Sequence, residues 1–173
     1  MYTLPHKTTP APAKIAVHYR RPQFSYDSIH DHRLKLYKAA AKHYANALSL
    51  GGDCSIVVCF TTTKLSHDYL GLCESRRDSK GRWVVKLHRD GKIWANLKTL
   101  AHELVHVRQF ARGDLALDDR GEKLLWHGEA GHGSKAWEDR PWEKEANALE
   151  KILRKDFAHC LKGAFWKLTA KHY

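Results

Sequence analysis

The stretch Leu100-Ala101-His102-Glu103-Leu104-Val105-His106-Val107 decides how this chain is read. Its apolar residues belong to a helical stripe through Leu97, Leu100, Ala101, Leu104, Val107 and Ala111, with Asn96 near its start and Gly113 placed to close it. On such a helix His102 and His106 project from one face a turn apart, so both imidazoles can bind a single metal ion. Glu103 lies beside them. A zinc ion held this way acidifies a water molecule, and an adjacent carboxylate can take its proton and pass it to a leaving amine. The HExxH spacing therefore predicts His102 and His106 as metal ligands, Zn2+ as the cofactor and Glu103 as the catalytic residue of a peptide-bond hydrolase.

Upstream, apolar residues at Leu34, Tyr37, Ala41, Tyr44, Ala45 and Leu48 recur at helical spacing from a cap at Asp27 or Ser28 to Gly51-Gly52. The run Ser55-Ile56-Val57-Val58-Cys59-Phe60 reads as a buried strand. Residues 69 to 74 and 83 to 88 read as two more, around a polar turn at residues 76 to 81, and together they predict a small antiparallel sheet. Downstream, residues 123 to 126 suggest a short strand and residues 128 to 139 are irregular. A third helix follows, with Asp139 as cap, Pro141 in its first turn and Trp142, Ala146, Leu149, Leu153 and Cys160 on its buried face. The expected fold class is α+β, a sheet packed on the HELVH helix with flanking helices.

A catalytic zinc takes a third protein ligand and leaves its fourth position to water. Glu143, in Pro141-Trp142-Glu143-Lys144-Glu145-Ala146-Asn147, and His132, in Gly131-His132-Gly133, are the candidates. Helical periodicity does not separate Glu143 from Glu145, which flank the Trp142/Ala146 stripe on opposite sides. His127, beside Trp126, is a candidate donor to the oxyanion of a scissile carbonyl or else a surface histidine.

Leu100 to His106, then Trp126-His127-Gly128, then Pro141-Trp142-Glu143-Lys144-Glu145-Ala146, resembles the small phage and bacterial zinc metallopeptidases related to the SprT-like proteins, within the wider gluzincin class. The resemblance covers residues 54 to 155, and Leu70-Gly71-Leu72-Cys73 is similar to a strand found before the active helix of SprT-like proteins. It implies a zincin-like fold with Glu143 as third ligand, Ala146 three positions on, and Asn147 hydrogen bonded to a ligand histidine. It also implies that residues 86 to 95 form an edge strand for an extended peptide, with Trp94 shaping the cleft. Spartan-type DNA-protein crosslink proteases take their third ligand from a Gly-His-Gly segment, which makes His132 the competing choice. That motif goes on to a small or proline residue and an aromatic, and Ser134-Lys135-Ala136-Trp137 matches it loosely.

The remaining composition sets the context. The 173 residues fit one domain, with residues 26 to 173 as that domain and the proline-rich residues 1 to 25 as an extended or poorly ordered arm. The formal charge of +11, from 30 basic and 19 acidic residues, favours polyanionic neighbours such as nucleic acid. A scattered, solvated basic surface produces the same figure. Residues 162 to 173 mix bases with aromatics, as single-stranded nucleic-acid binders and lysine-faced terminal helices both do. Four cysteines without paired CxxC spacing, no apolar stretch of membrane-spanning length and no signal-like N-terminus predict a cytoplasmic protein without a membrane partner. The partner expected is a polypeptide substrate, one associated with nucleic acid included. The competing expectation is a basic nucleic-acid- or partner-binding protein whose zinc is structural or idle.

Overall fold

Alternation along two strands creates the face on which the site is built. In Ser55–Thr61 (β2) the side chains of Ile56, Val58 and Phe60 point inward, and in Arg82–His88 (β4) those of Trp83, Val85 and Leu87 do the same. Val57, Cys59, Val84 and Lys86 on the opposite face are only half-buried. The computed structural model describes residues 12–19, 28–61, 71–75, 81–88 and 91–161.

The element order is Lys14–Tyr19 (β1), Ser28–Ala47 (α1), β2, Gly71–Ser75 (β3), β4, Ile93–Arg112 (α2), Leu115–Leu117 (β5), Leu124–Trp126 (β6) and Pro141–Cys160 (α3). Two 3-10 turns, His132–Ser134 and Trp137–Asp139, precede α3 within the stretch expected to be irregular. No helix is long and apolar enough to cross a membrane among the described residues.

The main sheet runs β1-β2-β4-β3 and is mixed, which corrects the antiparallel expectation. Strands β1, β2 and β4 are parallel, and only β3 is antiparallel to its neighbour. The helix α1 supplies the crossover that lets β1 and β2 run the same way, and β3 reverses direction so that β4 returns parallel to β2. Strand β1 also shows that residues 14 to 19 of the proline-rich arm belong to the sheet, Lys14 pairing with Ser55 and Tyr19 with Phe60. Since β4 lies between β2 and β3, and residues 93 to 95 are helical, residues 86 to 95 are not an edge strand. Trp94 sits on the first turn of α2, 44% exposed.

Helices α1 and α2 pack on the inward face through Tyr37, Ala41, Tyr44, Leu97, Leu100 and Leu104, all buried, and α3 packs on α2 through Ala146, Leu149 and Leu153. The result is the α+β class, a sheet with its helices on one face. Buried Asn96 donates its side-chain N–H to the carbonyl of His88 at 3.0 Å, tying the end of β4 to the first turn of α2 and fixing where that helix starts. Helix α2 begins at Ile93, a turn earlier than periodicity suggests, and closes on left-handed Gly113 as expected. Arg140 rather than Asp139 occupies the N-cap of α3; Asp139 pairs with Lys144 at 2.9 Å. The buried stripe of α3 ends at Phe157, and Cys160 is exposed.

Candidate metal centre

Helical geometry places three donor atoms at one point between α2 and α3. His102 Nε2 lies 3.1 Å from Glu143 Oε2 and 3.1 Å from His106 Nε2, and His106 Nε2 lies 3.5 Å from Glu143 Oε2. The two imidazoles come from successive turns of α2 and meet edge-to-face, ring centroids 4.8 Å apart. The carboxylate comes from the first turn of α3, which Pro141 starts. His102, Glu103 and Glu143 are buried and His106 is half-buried, and three of these four ionisable groups sit on one helix.

Such burial is tolerated only with partners, and the partners are particular. Gln109, fully buried one turn beyond His106, donates both amide N–H groups, one to the Trp142 carbonyl and one to Glu145 Oε2, each at 2.9 Å. Its Oε1 is left to accept from His106 Nδ1 at 2.8 Å. Nδ1 of His106 is thereby kept protonated, and Nε2, which faces His102 and Glu143, donates to the carboxylate when the ring is charged and offers its lone pair when the ring is neutral. Trp137 stacks on the other ring, its centroid 5.8 Å from that of His102 at 22°. Neither Gln109 nor Trp137 stands out in the sequence; the spacing of three residues after His106 is the one signal for Gln109.

Electrostatics favour the charged carboxylate. Burial opposes it, but hydrogen bonds from His102 and His106, together with their charges, hold Glu143 at about 2. Burial likewise opposes protonation of His106, while the Glu143 hydrogen bond, the charges of Glu103 and Glu143 and the Gln109 bond outweigh it and raise its pKa. With two imidazole nitrogens and a carboxylate oxygen within 4.8 Å of one another, these residues could hold a metal ion.

The competing ligands go elsewhere. Glu145 is taken up by Gln109 and by Arg108, whose Nη1 lies 3.3 Å from Glu145 Oε1. His132 packs edge-to-face against Trp142 at 6.2 Å, in a loop pinned by Arg140 Nη2 to the Gly133 carbonyl at 3.2 Å, and it is not in the cluster. Asn147 is half-buried, and the hydrogen bond expected of it is made to His106 by Gln109 instead. His127 forms the tip of a tight hairpin with Gly128, both at positive φ, its side chain 61% exposed and its Nδ1 3.8 Å from Asp114 Oδ1. The basic and aromatic residues 162 to 173 lie outside the described residues. Comparison with protein-family models, with curated proteins and with solved structures finds no match to this chain.

Proposed function

We propose that this chain is a zinc-dependent metallopeptidase, similar to the SprT-like and gluzincin peptidases, in which His102, His106 and Glu143 hold the metal and Glu103 is the general base. One observation carries the reading. Ligand atoms about 2.0 to 2.1 Å from a tetrahedral zinc stand about 3.3 Å from one another. The separations of 3.1, 3.1 and 3.5 Å among the two Nε2 atoms and Glu143 Oε2 fit such a triangle. The set of two histidines and one glutamate is that of hydrolytic rather than closed structural zinc sites.

Bound there, zinc supplies the Lewis acidity that lowers the pKa of a water and polarises a carbonyl. Glu103 takes the proton of the attacking water and delivers it to the departing amine nitrogen. Gln109 fixes the tautomer of His106, and Trp137 limits rotation of the His102 ring. The helix-bearing face of the sheet and the glutamate on the following helix are also consistent with a zincin-like arrangement. The charge of +11 favours substrates bound to nucleic acid, since a basic surface concentrates the enzyme on a polyanion.

The competing reading is a basic binding protein with a structural or idle zinc. A buried Glu103 beside the cluster argues against it, because a structural site has no use for a base. The test compares zinc-loaded protein with zinc-loaded Glu103→Gln on an unfolded protein substrate, with and without DNA. The proposal expects cleavage by the first, abolished by chelation and restored by zinc, and a loss of about 100-fold or more in the second. Equal cleavage by both would rule out Glu103 as base, and no cleavage by either would favour the binding protein.

A further inference from the structure

A second set of donor atoms meets far along α3 from Glu143. Asp156 and Cys160 stand four residues apart on the last turns of this helix and so share a face, and His43 reaches them from α1. His43 Nε2 lies 2.9 Å from Asp156 Oδ2, and one ring nitrogen, one carboxylate oxygen and the Cys160 sulfur all lie within 4.8 Å of one another. The imidazole is held in place from below: its ring packs on buried Phe157 at 5.3 Å and on buried Tyr44 at 6.1 Å. Asp156 and Cys160 are exposed, so an ion has open access and the thiol is free.

We propose that His43, Asp156 and Cys160 form a second metal site, selective for zinc-like divalent ions, which staples the C-terminal end of α3 to α1. A thiolate, an imidazole and a carboxylate make a borderline-soft set that suits zinc and cobalt and is wrong for magnesium or calcium, which take oxygen ligands. On binding, the thiol proton goes to solvent, and the ring gives up the Nε2 proton that it donates to Asp156 and carries its remaining proton on Nδ1, so that the Nε2 lone pair can turn to the ion. The helix C-terminus, with its partial negative charge, adds to the attraction for a cation. Donors within 4.8 Å need side-chain rotation of about 1 Å to reach the edges of about 3.3 to 3.6 Å that a tetrahedral N, O, S site requires. The proposal is independent of the peptidase reading, because no residue is shared with the HELVH site.

Cobalt(II) titration of the full chain under reducing conditions provides the test. The HELVH cluster contains only nitrogen and oxygen donors, so a near-ultraviolet thiolate-to-cobalt charge-transfer band cannot come from it, and loss of the band in Cys160→Ser assigns it to the second site. Wild type should show the band and bind about two cobalt ions per chain, while Cys160→Ser and His43→Gln should lose the band and bind about one. Cys160→Ser changes an exposed side chain and preserves the fold, which circular dichroism checks. No band in wild type, or a band that survives Cys160→Ser, would overturn the proposal whatever the HELVH site binds.

Discussion

Replacing Gln109 by leucine tests the hydrogen-bond network that would aim His106 at the proposed metal. The side chain is fully buried and makes three bonds: it accepts from His106 Nδ1 at 2.8 Å and donates to the Trp142 carbonyl and Glu145 Oε2 at 2.9 Å each. Leucine fills nearly the same volume but leaves all three partners short. Loss of such a partner to a ligand histidine costs about 10- to 100-fold in metal affinity. Each buried group left unsatisfied costs about 1 to 3 kcal/mol. Glu145 keeps Arg108 at 3.3 Å, so the total for the metal-free protein should fall near the low end of the sum, about 2 to 4 kcal/mol. Zinc competition against a chromophoric chelator and denaturant unfolding of the stripped protein measure the two effects. Gln109→Glu is the control: it still accepts from His106 but sets a carboxylate against Glu145, so zinc affinity should survive while stability drops. A Gln109→Leu protein that binds zinc within about twofold of wild type would refute the tautomer argument.

Two further expectations follow from the same geometry. Glu143→Ala should lower zinc affinity by about 100-fold or more, whereas His132→Ala should leave it nearly intact and Glu145→Ala should act mainly on stability; chelator competition on the three variants distinguishes them, and a reversed ranking would move the third ligand to the Gly131-His132-Gly133 loop. The pH dependence should differ between metal-free and zinc-loaded protein. Glu143 is depressed to about 2, so its contribution is present above the ordinary carboxylate range and is lost as pH falls toward that value. His106 is raised, so its contribution is full below its ordinary value and fades as pH rises through the folded one. The pair therefore supports the metal-free fold best in mildly acidic solution, while zinc must displace the His106 proton. The rise in Tm caused by zinc should grow as pH goes from about 5.5 to about 8, and a rise that shrinks over that range would contradict it.

The HELVH helix was legible because its apolar stripe and its two histidines obey one period, and α2 differs from expectation only by starting a turn earlier. Strand direction was not, since a buried run such as Ile56 to Phe60 looks the same whichever way its neighbours run; the crossover through α1 made it parallel. Strand β1 was hidden by prolines at 10, 12 and 22, which flank it without entering it. Glu143 and Glu145 are interchangeable on a helical wheel, and what separates them is the partner helix: Arg108 and Gln109 occupy Glu145, leaving Glu143 to the histidines. Trp137 was unreadable for a related reason. Its contact with His102 depends on how the loop before α3 folds back over α2, which no local periodicity encodes.

The claim that one zinc is held by His102, His106 and Glu143 with a position left open beside Glu103 is tested most directly by anomalous diffraction at the zinc edge from crystals of the zinc-loaded protein. The account predicts a peak at about 2.0 to 2.2 Å from both Nε2 atoms and from a Glu143 carboxylate oxygen, with solvent as the remaining ligand. A peak ligated by His132 or Glu145 in place of Glu143, or closed by a fourth side chain, or no peak between α2 and α3, would contradict it.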